Sequence, residues 1–185
     1  AYPERFFECG IAEQDMVSQA GGLALRGFLP IVHSFACFLS TRPNEHIYNN
    51  ASERTKIIYV GSLAGVVPGG PGHSHQSVRD IAALSGVPGL TLIEPSCSTE
   101  VAQALGYAVG TNEASTYIRL TSIPCEIPFN LPSDYRLELG RGAVLEDGDD
   151  VAIIAYGPVL LGEAHTARIC LLYTSPSPRD RTRSR

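Results

Sequence analysis

The sequence lacks a long apolar run. Although 44% of its 185 residues are hydrophobic, no stretch approaches the roughly 20 residues that a membrane-spanning helix needs. The first ten residues, AYPERFFECG, have neither the basic start nor the apolar core of a secretory signal. We therefore expect a cytoplasmic, globular protein with one ordinary domain, or with one domain and part of another.

Cysteine pairs with the spacing of a metal site are also missing. The five cysteines are scattered without a Cys-x-x-Cys pair: Cys9, Cys37, Cys97, Cys125 and Cys170. An odd number in this arrangement fits reduced thiols better than a disulfide framework or a zinc site. We expect these thiols to be buried and inert.

Positive charge is scarce, since 14 Lys and Arg face 19 Asp and Glu and the formal net charge is -5. Four arginines and one aspartate lie in residues 170–185, without which the net charge would be -8. The letters CLLYTSPSPRD resemble an in-frame translation of a transposase adaptor, so we interpret residues 170–185 as adaptor-derived. The alternative is a basic tail that binds nucleic acid. An acidic body is a poor partner for a phosphate backbone, and we predict no such binding.

The apolar periodicity predicts an alternation of strands and helices. Predicted strands lie at residues 5–9, 28–35, 55–62, 90–95 and 115–120. Predicted helices lie at residues 16–26 (ended by Gly27), 42–52, 77–86 and 98–110 (with Ser98 or Thr99 as N-cap). This order indicates an α/β fold, a parallel sheet with helices on both faces.

A segment with three prolines and no helical pattern, IPCEIPFNLPSDYRLELGRG, indicates a domain boundary. We predict a first domain over residues 1–127, a linker over 128–138 and the start of a second α/β domain over 139–169, with a hairpin, a strand and then a helix. Both ends interrupt a structural pattern, so we expect a fragment of a larger protein.

Glu13, in GIAEQ, stands where a predicted strand ends and a helix begins. Parallel sheets bind ligands at the carboxyl ends of their strands. The HSF segment and the loop PGGPGHSHQ follow two further strands, so we expect a carboxylate, an aromatic ring and histidines to converge in one cleft. The alternative is that Glu13 only complements the helix dipole.

These segments resemble a known family. FFECGIAEQDMVSQAGGLALRGFLPIVHSFACFLSTRP is similar to the pyrimidine-binding domain of transketolase-like thiamine diphosphate enzymes, and most similar to the separately encoded C-terminal section of transketolase. The likeness continues through GGPGHSHQSVRDIAAL, PGLTLIEPS and YIRL. The segment from about residue 139 resembles the start of the family's C-terminal domain. The resemblance implies transfer of a two-carbon ketol unit between sugar phosphates.

The resemblance gives Glu13 a catalytic and cofactor-binding role. In this family the matching glutamate hydrogen-bonds ring nitrogen N1' of the cofactor's aminopyrimidine and favours its imino tautomer, which takes the proton from C2 of the thiazolium. A partly desolvated site is expected to raise the pKa of Glu13 toward that task. Phe35 matches the aromatic residue that stacks on the pyrimidine, with core packing as the alternative, and Phe38 is expected in the core.

The resemblance also suggests substrate contacts. His75 matches a histidine near the reactive carbon, where it has a catalytic and a substrate-binding role. For His33 a substrate contact and a packing role are weighed equally. His73 with His75 contacts substrate or, as an alternative, forms an H-x-H metal site. Arg119 matches an arginine that holds the substrate phosphate, with a strand-end salt bridge as the alternative.

One departure from the family concerns the loop before His75. Transketolases carry an acidic residue followed by Gly-Pro-Thr or Gly-Ala-Ser, whereas this chain reads Pro71, Gly72, His73 and Ser74. The missing acid puts a sugar-phosphate substrate in doubt. A 1-deoxyxylulose-5-phosphate synthase, a 2-oxo acid dehydrogenase beta subunit and a non-catalytic scaffold module therefore stay as alternatives.

The diphosphate and the Mg2+ of thiamine diphosphate are held in this family by another domain with a GDG signature. That signature is missing here, and the glycine-rich loop does not follow GxxxxGK[ST], which argues against a nucleotide P-loop. We expect no metal site on this chain. We expect a diphosphate-binding partner domain or subunit, a homo- or hetero-oligomer, and no activity of the chain alone.

Overall fold

The computed structural model describes residues 2–149 and 151–173. The chain divides into two compact units, Ala1–Pro124 and Cys125–Arg185. The first unit contains the sheet and all of the predicted site residues. No helix among the described residues is both long and apolar enough to cross a bilayer.

The first unit is an α/β fold built on four parallel strands in the order β1-β2-β4-β3. The strands are β1 Ile31–Phe35, β2 Ile58–Ser62, β3 Thr91–Ile93 and β4 Thr116–Arg119. The helices are α1 Glu13–Leu25, α2 Ala36–Thr41, α3 Asn44–Ser52, α4 Asp80–Leu84 and α5 Ser98–Gly110. The predicted fold class is confirmed.

The core lies around the central strands β2 and β4. Tyr59 and Tyr117 are paired across these strands and are almost wholly buried. Burial raises the pKa of Tyr59 to about 12. The Tyr117 ring lies against Gly61, where a Cβ would collide with it. A glycine is therefore required there for this packing.

The end of α1 follows the prediction that Gly27 terminates it. Gly27 has φ +88°, a backbone conformation that suits glycine. Its N–H donates to the carbonyl of Ala24, and the N–H of Phe28 donates to the carbonyl of Leu23. These two bonds satisfy carbonyls that the helix itself leaves free.

The predicted strand at residues 5–9 is wrong. Pro3–Arg5 form a short 3-10 helix, and the extended residues that follow pair with no strand among the described residues. Phe6 and Phe7 are both exposed. An apolar run without a neighbouring strand does not form a β-ladder, whatever its composition.

Two helix boundaries also differ from the prediction. The predicted helix at residues 42–52 begins at Asn44, and α2 before it was missed. Pro43 separates the two because it has no backbone N–H to continue the hydrogen bonds of α2, and its own backbone angles are not helical. The N-cap of α5 is Cys97, not Ser98 or Thr99 as predicted. The Glu100 carboxylate accepts hydrogen bonds from the N–H and the hydroxyl of Ser96, at 2.7 and 2.6 Å, just before the helix.

The second unit has one described helix, α6 Gly157–Tyr173. The helix begins at the segment GPVLLGEAHTA, as predicted, but it continues past Ile169. The residues that follow, CLLY, are compatible with a helix. The predicted hairpin and strand before it do not form within the described residues, where Ile154 is exposed and has no strand to pair with. The remainder of the predicted adaptor-derived tail, 174–185, lies outside the described residues.

The prediction that the cysteines are buried is wrong. Cys170 is exposed and the other four are half-buried. Cys9 and Cys125 lie outside the helices and strands, where no apolar periodicity predicts burial.

Candidate active site

The carboxyl ends of the strands bring the predicted residues to one edge of the sheet. In register, Phe35 at the end of β1 lies opposite Ser62 of β2, and Gly61 lies opposite Arg119 of β4. Glu94 follows β3 at the same edge. The loops that leave these strands therefore define the site.

Glu13 is the first residue of α1 and the one buried polar side chain of this described helix, with 8% of the residue exposed. The chain reaches this position through a turn at Gly10, which has φ +64° and therefore favours glycine. The Gly10 N–H donates to Glu8 Oε1 at 2.9 Å. The GIAEQ segment thus turns the carboxylate inward at the start of the helix.

The Glu13 carboxylate accepts three hydrogen bonds from side chains. Ser34 Oγ donates to Oε1 at 3.2 Å. Arg42 Nη1 donates to Oε1 at 2.9 Å and to Oε2 at 2.8 Å. Glu13 is therefore joined to β1 and to the segment between α2 and α3.

The pKa of Glu13 is lowered, which corrects the expectation of a raised value. Burial acts to raise it, but hydrogen bonds from Arg42, from its own backbone N–H and from Ser34, with the charge of Arg42, outweigh burial. The expectation rests on burial alone, whereas Arg42 supplies an opposing positive charge. In this state Glu13 is an ionised hydrogen-bond acceptor.

Three rings form an aromatic cluster beside this carboxylate: Phe35, Phe38 and His75. The His75 centroid lies 6.1 Å from that of Phe35 and 5.1 Å from that of Phe38, both in edge-on contacts. The guanidinium carbon of Arg42 lies 3.9 Å from the Phe38 centroid. Arg42 and Phe38 therefore connect Glu13 to His75.

The cluster is open to solvent. Phe35 is 41% exposed, so it does not pack in the core, which was the alternative for this residue. Phe38 is half-buried and stands between Arg42 and His75, so its expected place in the core is wrong. Its position on a short helix at the sheet edge turns it toward the loop, away from the sheet face.

The glycine-rich loop carries His73 and His75. Its two ends pair through Gly65 and Ser77, which exchange backbone bonds of 3.2 and 2.9 Å. His75 Nδ1 lies 2.9 Å from Ser74 Oγ, whereas His73 is exposed. Over residues 2–149 and 151–173 no three metal-ligating side chains come together. The H-x-H pair has no third ligand there.

His33 lies apart from the aromatic cluster on strand β1. It is exposed, and its Nε2 lies 3.1 Å from Ser62 Oγ of the neighbouring strand. Among the described residues it forms no hydrogen bond or ring contact with Glu13, Phe35 or His75. A cross-strand role is therefore the better supported of its two interpretations.

Arg119 is enclosed by acceptors. Its Nε donates to Asp80 Oδ2 at 2.8 Å, its Nη2 donates to the Ser77 carbonyl at 3.2 Å, and its Nη1 lies 2.8 Å from Glu94 Oε2. The Tyr117 hydroxyl also donates to Asp80 Oδ2, at 3.0 Å. This is the arrangement of the salt-bridge alternative, with two carboxylates for one guanidinium.

Glu94, the second carboxylate beside Arg119, has a raised pKa. Burial raises the pKa of Glu94, and Asp80 raises it further, although Arg119 opposes both. Glu94 Oε2 lies 2.8 Å from Arg119 Nη1, its ion-pair partner. Arg119 thus faces two carboxylates that disfavour each other's ionised form.

Arg42 is the functional candidate that sequence reasoning missed. A signal was present, since a single arginine one turn after the FACFL segment lies close to any ligand held by that segment. Nothing in its spacing, however, indicated that it would reach Glu13, 29 residues away.

A family model described as "Transketolase, pyrimidine binding domain" matches residues 1–123. Among curated proteins, "Putative uncharacterized transketolase family protein y4mN" of Sinorhizobium fredii is 38% identical over 159 residues, 85% of this chain and 45% of that protein. "Putative transketolase C-terminal section" of Methanocaldococcus jannaschii is 34% identical over 157 residues, 84% of this chain and 49% of that protein. The chain spans about half the length of these two relatives.

Among solved structures, "Split gene transketolase, inactive beta4 tetramer" matches with a TM-score of 0.78 and 31% identity, over 93% of this chain and 55% of that chain. Other relatives are named 1-deoxy-D-xylulose-5-phosphate synthase. That of Clostridium botulinum is 33% identical over 161 residues, 86% of this chain but 25% of that protein.

Proposed function

Because this chain belongs to the transketolase family, we propose that it supplies the pyrimidine-recognising half of a thiamine diphosphate site. Glu13 is the residue that activates the cofactor. The observation that carries the proposal is the place of its carboxylate, which is buried at the start of α1 and joined through Ser34 to the strand that ends in the half-exposed ring of Phe35.

The side chains present fit an aminopyrimidine. A flat heteroaromatic ring stacks on an open phenyl face, which Phe35 offers. The buried Glu13 carboxyl group can share a proton with a ring nitrogen, since a protonated carboxyl donates one hydrogen bond and a ring nitrogen accepts it. When bound, thiamine diphosphate supplies the carbon that attacks substrate carbonyls. The part of Glu13 is to hold a proton between its carboxylate and N1'.

The reaction that we propose is transfer of a two-carbon ketol unit between sugar phosphates. His75, held beside Phe35 and Phe38, is the contact to substrate hydroxyls, and the exposed His73 is a further contact from the same loop. His33 is assigned a smaller part because it bonds Ser62. For Arg119 we replace the phosphate contact with a structural role, since Asp80 and Glu94 already engage it.

Synthesis of 1-deoxyxylulose 5-phosphate is the second candidate. It is favoured by the relatives that carry this name and by the loop that has Pro71 to Ser74 where transketolases carry an acidic residue. Assays of the full-length parent with a ketose phosphate donor and, separately, with pyruvate separate the two. Turnover of pyruvate alone would replace ketol transfer as the proposed reaction.

A complete site requires a second domain. We propose that a diphosphate-binding domain or subunit holds the diphosphate and Mg2+, and that the working form is a cytoplasmic oligomer. The name of the related split-gene structure, an inactive tetramer of one chain type, supports the need for a partner. The proposed test is co-purification of a GDG-containing chain with the full-length parent.

Replacing Glu13 tests the central assignment. In the assembled enzyme, Glu13→Gln is expected to lower kcat at least about 100-fold, because the amide cannot share a proton with N1'. Asp15→Asn, on the exposed face of the same helix, is the matched control and is expected to stay within about twofold. Unchanged turnover in Glu13→Gln leaves only a non-catalytic scaffold.

A further inference from the structure

Arg42 is bound to the same oxygens that the proposed function assigns to the cofactor. We propose that Arg42 is a positioning residue that occupies the Glu13 carboxylate until the aminopyrimidine ring displaces it. The inference rests on the proposed function, because it concerns how the same carboxylate is kept before the cofactor arrives. Arg42 would thus compete with the cofactor for the Glu13 carboxylate.

The contact geometry supports competition. A single nitrogen, Arg42 Nη1, lies within 2.9 Å of both Glu13 oxygens. A ring nitrogen that approaches the carboxylate in its plane would meet this N–H. The Arg42 side chain is 39% exposed, against 9% for Glu13, so the arginine has solvent into which it can move whereas the carboxylate is held in place.

The Phe38 ring supplies a second holding contact for Arg42. Its centroid lies 3.9 Å from the guanidinium carbon, within the range of a cation–π interaction. Arg42 can therefore leave Glu13 and remain beside the aromatic cluster. The displaced arginine then stays near the bound ring, where it can return when the ring leaves.

Arg42 is the charged group that faces Glu13 among the described residues. Helix α1 also packs against β1 and α3, but the polar partner from β1 is the neutral hydroxyl of Ser34. His33 of β1, and Glu45 and His46 of α3, make no hydrogen bond or ion pair with Glu13. Arg42 is thus the charged group that opposes the effect of burial on the pKa of Glu13.

This arrangement has a consequence for protons. An ionised carboxylate only accepts hydrogen bonds, and a neutral pyrimidine N1' also accepts. Their contact therefore needs one proton that neither brings at neutral pH. Cofactor binding is expected to take up about one proton at Glu13 and to release the Arg42 contact. Both steps oppose binding, and both are eased if Arg42 is absent.

The test is calorimetric titration of the cofactor-free assembled enzyme with Mg2+ and thiamine diphosphate, in buffers of different ionisation enthalpy between about pH 4.5 and 8. Proton uptake in Glu13→Gln is subtracted from that in the wild type to isolate Glu13. Arg42→Gln removes the charge, Arg42→Met removes it while keeping length and apolar contact with Phe38, and Arg42→Lys retains it.

Arg42→Gln and Arg42→Met are expected to bind the cofactor about tenfold more tightly at neutral pH. Near the acidic end of this range, Glu13-linked uptake is expected to be smaller in these two variants than in the wild type. Without the charge of Arg42 the pKa of the free Glu13 carboxyl rises, so part of it is already protonated before the cofactor binds. Arg42→Lys is expected to restore both values toward those of the wild type. An arginine with a merely structural role would instead weaken binding when removed and leave the uptake profile in place.

Two failures are distinguishable. If Glu13→Gln binds and takes up protons like the wild type, the proposed function itself is overturned. If Glu13→Gln loses the uptake, while Arg42→Gln and Arg42→Met bind no more tightly than the wild type and keep its uptake profile, only the role of Arg42 is overturned.

Discussion

Two arginines meet carboxylates at the carboxyl edge of the sheet, and they differ in exposure and in the number of acids. Arg42 pairs with one acid, Glu13, and its side chain is 39% exposed. Arg119 pairs with two acids, Asp80 and Glu94, and its side chain is 12% exposed. The guanidinium of Arg42 is therefore accessible to solvent, whereas that of Arg119 is enclosed by protein.

The comparison indicates which pair can exchange partners. An ion pair with one solvent-exposed member contributes less net stability than an enclosed pair, so it opens at lower cost. A buried pair cannot lose one member without leaving an uncompensated charge. We infer that Glu13 and Arg42 take part in ligand binding. Arg119 and its two acids instead have a structural role: they fix Ser77, at the end of the glycine-rich loop, and the start of α4.

The sharpest way to break this comparison is to remove each arginine. Arg119→Met leaves Asp80 and Glu94 buried without their cation and is expected to lower the free energy of unfolding by about 3–5 kcal/mol. Arg42→Met, in which the lost arginine is 39% exposed, is the comparison variant and is expected to lower this free energy by clearly less. Urea unfolding measures both. Similar losses in the two variants would contradict the assignment.

A smaller effect is expected from Tyr117→Phe. The hydroxyl donates to Asp80 at 3.0 Å from within the core, and losing a buried hydrogen bond to a charged group costs about 1.5–3 kcal/mol. Tyr48→Phe, on the exposed face of α3, is the control and is expected to leave stability unchanged. Equal urea midpoints for Tyr117→Phe and the wild type would show that this hydrogen bond does not stabilise the fold.

The pH dependence of stability sharpens the comparison further. The pKa of Glu13 is lowered, so its stabilisation is present above the unfolded-state pKa and is lost as pH falls through the folded-state value. The pKa of Glu94 is raised. Its contribution is present below the unfolded-state pKa and is lost as pH rises through the folded-state value.

Between about pH 4 and 7, Glu94→Gln is therefore expected to gain stability relative to the wild type as pH rises, while Glu13→Gln loses it, by less than about 1 kcal/mol because Arg42 is exposed. Urea unfolding across this range measures both differences. The same sign of slope for the two variants would contradict the opposite pKa shifts.

Much of this architecture was predictable from local patterns. Continuous apolar runs located β2 and β4, and Gly27 located the end of α1, because burial on both faces and a left-handed C-terminal residue leave direct marks on the sequence. The strand predicted at residues 5–9 failed, since a strand depends on a neighbour that composition does not reveal. The family resemblance placed Glu13, Phe35 and His75, of which the structure brings the two rings into contact.

The partners of charged residues were less predictable. Arg42 lies 29 residues from Glu13 in the chain and Arg119 lies 39 from Asp80, and no periodicity links residues at such separations. The direction of the Glu13 pKa shift was missed for this reason, because burial was considered and its cation was not. Pairings of this kind follow from the fold as a whole.

The most direct test of the account is a crystal structure of the assembled enzyme with thiamine diphosphate. The account predicts that a Glu13 carboxylate oxygen lies within about 2.7–3.2 Å of N1', with the pyrimidine stacked on Phe35 and Arg42 turned away from the carboxylate. A pyrimidine bound elsewhere, with Arg42 Nη1 still on both Glu13 oxygens, would contradict it.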